Sequence, residues 1–163
     1  MYSAQNFIDS YRKETKICIN LFSHLPAGGL DFRPTPGQRT TLELMRYLAY
    51  GPVGGVKRII AGDWNIAIPA AAHAKEMPAS DFVRQMTIQA DEVETLVHSV
   101  PMSDLTEKTM TFPWGETALR GPSLVNYPLK WITGYRMQFF LYLKAAGAHH
   151  LTTGENWRHP AGL

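Results

Sequence analysis

Apolar residues recur along this chain at intervals of three and four, the period of a helix, in four long stretches. In the first, from about Ser3 to His24, Phe7, Tyr11, Cys18, Leu21 and Phe22 fall at helical spacing, with Ser3 placed to cap the N-terminus and "LPAGG" to end the helix. The second starts at Thr40 or Thr41 and carries "LELMRYLAY"; Glu43, three residues after Thr40, completes a capping box. "GPVGG" at 51–55 then sets a proline, which removes a helix hydrogen bond, among three glycines. A kink or break is expected there, with the helix resuming to about Ala61. The third runs from Ser80 to about Val100, its face formed by Phe82, Met86, Ala90, Val93, Val97 and Val100, and Pro101 ends it. The fourth runs from Pro122 or Ser123 to Ala146, with Gly147 as its stop.

The connectors have their own patterns. "LDFRPTPGQRT" reads as an extended segment that packs Leu30 and Phe32 inward, and residues 65–78 as a loop or short helical piece. Residues 102–121 alternate around the turn "PWGE", as a short hairpin or extended excursion does. The tail from Ala148 is irregular, with a turn and one aromatic anchor, Trp157. No repeat, low-complexity tract or linker divides the chain. The expectation is one all-α domain over 1–163, a four-helix bundle with a short extended excursion between the third and fourth helices.

Composition narrows the function classes. Sixteen basic residues balance 14 acidic ones and are scattered, so no nucleic-acid footprint is expected. No apolar run approaches the ~20 residues of a membrane span, and the N-terminus has no charged region followed by an apolar core. A soluble, cytoplasmic protein is the expectation. The single cysteine, Cys18, sits in "KICINLF" and reads as a buried, inert thiol.

Three stretches, in this order and spacing, resemble the DinB/YfiT-like superfamily of small four-helix-bundle proteins. They are "LDFRPTPGQRTTLELMRYLA", "IIAGDWN" and "WITGYRMQFFLYLKAAG", within a match from about Phe7 to Gly147. The resemblance implies a divalent metal held by three histidines, one on the second helix and two on the fourth. Carried onto this chain, those positions are Tyr47, Trp131 and Tyr135. An indole nitrogen is a donor only, and a phenol ligates poorly because its pKa is near 10. The expectation is therefore no metal and no other cofactor.

Of the six histidines, none forms an H-x-x-x-H pair on a predicted helix. His24 and His98 end helices, where a cation favours the dipole, His149 and His150 are adjacent and point apart, and His73 lies in the loop before the third helix, where it could face a pocket. Tyr47, Trp131 and Tyr135 either fill the former metal position as core or line an aromatic pocket for a small apolar or cationic ligand. Glu43 and Gln138, one turn from Tyr47 and Tyr135, are further candidates to satisfy the phenols or orient a ligand.

The function expected is that of a DinB-like protein, metal-free and non-catalytic, that binds a small ligand or a protein partner in or near an aromatic-filled former metal site. The alternative is a thiol-dependent transferase, isomerase or hydrolase with an altered site, in which Arg46 or Arg136 would stabilise a thiolate. Apolar residues beyond one stripe on the first and fourth helices ("ICINLF", "QFFLYL") suggest a homodimer.

Overall fold

The computed structural model describes residues 3–68 and 74–160. Four long helical segments form the body. Helix α1 spans Ala4–Phe22, α2 Thr41–Ala61 and α3 Phe82–His98. The fourth segment is composite: α5, Arg120–Leu124, a π-helical turn at Val125–Leu129, and α6, Lys130–Ala145. Between α3 and α5 lie a short helix, α4 (Met102–Thr106), and a hairpin of β1 (Thr109–Thr111) and β2 (Thr117–Leu119). A last short helix, α7, covers Thr153–Trp157.

Helices α1 and α2 each pack against both α3 and α6, so α1 lies diagonally across the bundle from α2. The centre is dry: Phe7, Leu21, Leu44, Leu48, Phe82, Met86, Phe139 and Leu143 are all buried. Leu30 and Phe32 pack against this core as expected, Phe32 edge-on to Tyr142 at 5.7 Å between ring centroids. Charge pairs fasten α3 to its neighbours, Arg12 to Asp91 and Glu94, and Lys57 to Glu92 at 2.7 Å.

The start signals in the sequence work as read. The Ser3 hydroxyl accepts from the Asn6 N–H, and Thr40 and Glu43 make a reciprocal capping box. Glycine at 147, with φ of 125°, follows the last turn of α6. The hairpin is antiparallel, with Met110 opposite Ala118, and turns at Gly115, whose φ is 89°. Its buried Phe112 carries a ring cluster with Trp114 at 4.7 Å, Tyr127 at 4.1 Å and Trp64 at 5.4 Å, which fixes the excursion to the bundle.

Of the kink or break expected at "GPVGG", the break is corrected: α2 runs unbroken through Pro52. Proline at 52 has no N–H for the carbonyl four residues back, that of Leu48. That carbonyl instead accepts from Gln89 Nε2 on α3, at 3.0 Å, while Gln89 Oε1 accepts from the Tyr11 hydroxyl on α1, also at 3.0 Å. All three side chains involved are fully buried. A tertiary partner thus replaces the helix hydrogen bond that the proline removes. The fourth helix is corrected too, from one uniform helix to two parts joined by a π turn around Pro128, another residue that cannot donate.

The tail is better ordered than expected. Thr152 and Glu155 form a capping box on α7. Trp157 is 53% exposed and is not the anchor; Leu151 and Asn156 are buried in its place. Asn156 is gripped by Arg136, whose Nη1 donates to both its side chain, at 2.7 Å, and its backbone carbonyl. The same guanidinium, with no exposure at all, pairs through Nε with Glu14 of α1 at 2.5 Å. Arg136 is therefore a clamp between α1, α6 and the tail. Its burial against Glu14 removes it from any role at Tyr135, beside which it stands in sequence. Among the described residues, no helix is long and apolar enough to cross a membrane.

Candidate functional site

Because α2 continues past "GPVGG", it presents Tyr47, Gly51 and Gly55, successive turns of one face, to the fourth helical segment. The Trp131 indole lies across this face. A Cβ added at Gly51 would stand 3.2 Å from Trp131 Cζ2, closer than side chains ordinarily approach, so glycine there makes room for the ring. At Gly55 the same ring would be met at 3.6 Å, an ordinary contact.

Three rings meet at the positions that the resemblance set together. The Tyr47 ring centroid lies 5.4 Å from that of Trp131 and 4.8 Å from that of Tyr135, the latter pair edge to face. Tyr50 adds a fourth ring at 5.9 Å, also edge to face. Over Tyr47, at 4.0 Å from its centroid, sits the guanidinium of Arg39, which also reaches the Tyr135 ring at 5.9 Å.

These three side chains are poor metal ligands. Trp131 Nε1 is a buried N–H without a partner, and it has no lone pair to give. Burial, with Tyr135 alongside, pushes the Tyr47 phenol up to about 12 against the opposing pull of Arg39. Tyr47 thus stays protonated at neutral pH and offers no phenolate. The three residues do not fit the divalent ion that the histidine pattern of the resemblance implies. Among the described residues, no group of three or more histidines, cysteines, aspartates and glutamates is placed to hold a metal.

In front of Tyr47 opens a cleft of about 510 Å³. Its walls come from the connector before α2 (Arg33, Gln38, Arg39), from the first turns of α2 (Glu43, Arg46, Tyr47, Tyr50) and from Lys75. Tyr47 and Glu43, both read from the sequence, line it. Trp131 and Tyr135 do not; each packs its ring against Tyr47 and is itself half-buried. Gln138 is turned away, donating to the Tyr142 hydroxyl at 2.7 Å. His73 lies outside the described residues.

Glu43 is engaged locally: its Oε2 accepts from the Thr40 N–H at 2.7 Å and lies 3.9 Å from Arg33 Nη2. The Thr40 N–H holds its carboxyl below the usual carboxylate range. Arg46 donates Nε to the Met77 carbonyl at 2.9 Å. His24, which the sequence placed at a helix end, makes a ring-to-ring hydrogen bond with His150 at 3.0 Å. Burial pushes the Cys18 thiol up, in keeping with an inert side chain.

What sequence reasoning missed is the cationic rim. Arg33, Arg39 and Lys75 carry no motif, and only the fold brings them to one mouth. The sole signal was "RPTPGQR", two arginines in a rigid proline-rich connector directly before a helix start.

Comparison with solved structures places this architecture. The chain superposes on the crystal structure of a DinB-like protein, YjoA, from Bacillus subtilis, with a TM-score of 0.69 over 95% of this chain and 99% of that one, at 8% sequence identity. The fold is therefore that of a DinB-like protein. No protein-family model matches the chain, and no curated protein matches it.

Proposed function

We propose that this protein is a metal-free member of the DinB-like group that binds a small molecule in the cleft over Tyr47 and does no metal chemistry there. One observation carries the reading: Tyr47 packs on Trp131 and Tyr135 and also lines an open cleft under Arg39. Trp131 and Tyr135 occupy, on the alignment of the resemblance, the two fourth-helix ligand positions. Tyr47 occupies the second-helix position and is the one of the three that lines the cleft. The cleft falls within the size range of small-molecule sites, and its lining is mainly charged and polar around the two tyrosine rings.

The test is elemental analysis of purified protein together with titration of zinc and nickel. Sub-stoichiometric metal and no saturable binding are expected. Stoichiometric metal that is lost in Tyr47→Phe would overturn the reading. A complementary variant replaces Tyr47, Trp131 and Tyr135 by histidine together. Zinc bound with 1:1 stoichiometry in that variant alone supports the placement of the three positions.

A further inference from the structure

The cleft is unbalanced in charge. Arg33, Arg39, Arg46 and Lys75 line it, and Glu43 is the one carboxylate among the lining residues. That carboxylate is already taken by the α2 cap and by Arg33. Several cations elsewhere are paired closely, as with Arg12, Lys57, Arg84 and Lys108. Arg39 is held in another way. Among the described residues it forms no hydrogen bond and no ion pair within 4 Å; it is held by ring contacts to Tyr47 and Tyr135, with the Glu43 carboxylate near enough to feel its charge.

A guanidinium fixed on a ring keeps its five N–H donors for a further partner, and their fork matches the paired oxygens of carboxylate and phosphate groups. We propose that the cleft selects a small, multiply charged oxyanion, a di- or tricarboxylate or a phosphate ester, with Arg39 as the primary contact. Arg33, Arg46 and Lys75 surround it as supporting charges. The volume of about 510 Å³ suits a metabolite-sized molecule. The near balance of 16 basic and 14 acidic residues over the whole chain makes this a local feature, not a general basic surface. The assignment rests on the reading of the cleft as a binding site and adds the class of ligand.

The test is calorimetric titration of the full chain at low salt with citrate, with inorganic phosphate and with neutral triethyl citrate. Citrate or phosphate is expected to bind saturably, and the neutral ester is not. The tighter of the two anions decides between carboxylate and phosphate. Arg39→Gln should weaken that anion by about tenfold or more, and Arg39→Lys should weaken it less, since charge survives but the fork does not. Arg84→Gln, which removes a cation that pairs with Asp81 outside the cleft, should change it by less than about twofold.

Three results would overturn the assignment: no saturable anion binding, equal effects of Arg39→Gln and Arg84→Gln, or equal binding of the neutral ester. A parallel titration with indole and phenol separates this failure from failure of the cleft itself. Neutral aromatics that bind and are lost in Tyr47→Ala, with no anion binding, leave the site and sink the ligand class. If neither anions nor aromatics bind, both readings fall.

Discussion

Gln89 holds up a helix that its own sequence should interrupt, and this makes a sharp test of how the site is built. Substituting Gln89→Leu keeps the volume close but withdraws the donor from the Leu48 carbonyl and the acceptor from the Tyr11 hydroxyl. Each buried group left without a partner costs about 1–3 kcal/mol. Gln89, Leu48 and Tyr11 all have no exposure, so water cannot substitute without opening the core. The expected loss is about 3 kcal/mol, measured by urea denaturation with the slope unchanged.

The cause can be isolated by changing the partners. In Pro52→Ala, residue 52 regains an N–H and can donate to Leu48, so Gln89→Leu should cost about 1 kcal/mol less there. In Tyr11→Phe no hydroxyl is stranded, and the cost should fall by a similar amount. With both changes present, Gln89→Leu should be nearly neutral, because the polar groups have been removed or satisfied. The effect of Pro52→Ala on the unfolded chain cancels in the cycle. A Gln89→Leu cost that is the same in all four backgrounds would refute the account, and would mean that "GPVGG" stays helical for another reason.

Other consequences are direct. Arg136→Ala should cost about 3–5 kcal/mol, since it leaves Glu14 partly buried and uncompensated and frees Asn156; limited proteolysis should then cut the tail near α7 first, and an unchanged cleavage pattern would speak against the clamp. Glu155 caps α7 through the Thr152 hydroxyl and N–H, which lower its carboxyl to about 2. The cap is thus fully present above the carboxylate's ordinary value of about 4.3 and is lost as pH falls toward the lowered value, so a nuclear magnetic resonance titration should see Thr152 and Gly154 amide shifts move only in that acid range. Cys18 should not react with a thiol reagent in the native protein and should react fully once the protein is unfolded; rapid native labelling would contradict its burial.

The bundle was legible because its information is local. Ser3, Thr40 with Glu43, and Gly147 mark helix ends by short-range hydrogen bonds, and the apolar spacing gives the faces. Pro52 misled for the opposite reason: its cost depends on Gln89, which arrives from another helix. Helix α4 is too short to show a period. Helix α7 is as short, and its T-x-x-E start is its one local signal.

The site divides along the same line. Helical spacing put Trp131 and Tyr135 on one face, and the resemblance set Tyr47 opposite them; the three rings do meet. Gln138 illustrates the limit of that logic: it lies three residues after Tyr135 but four before Tyr142, and its side chain takes the second partner. The cations at the mouth obey no period. Arg33 and Arg39 come from an irregular connector, Arg46 from the helix face beside Tyr47, and Lys75 from a segment between helices. The resemblance and the helix register therefore locate the aromatic cluster. The charge beside it comes from connectors, which no period marks, and it is that charge on which the proposed oxyanion site rests.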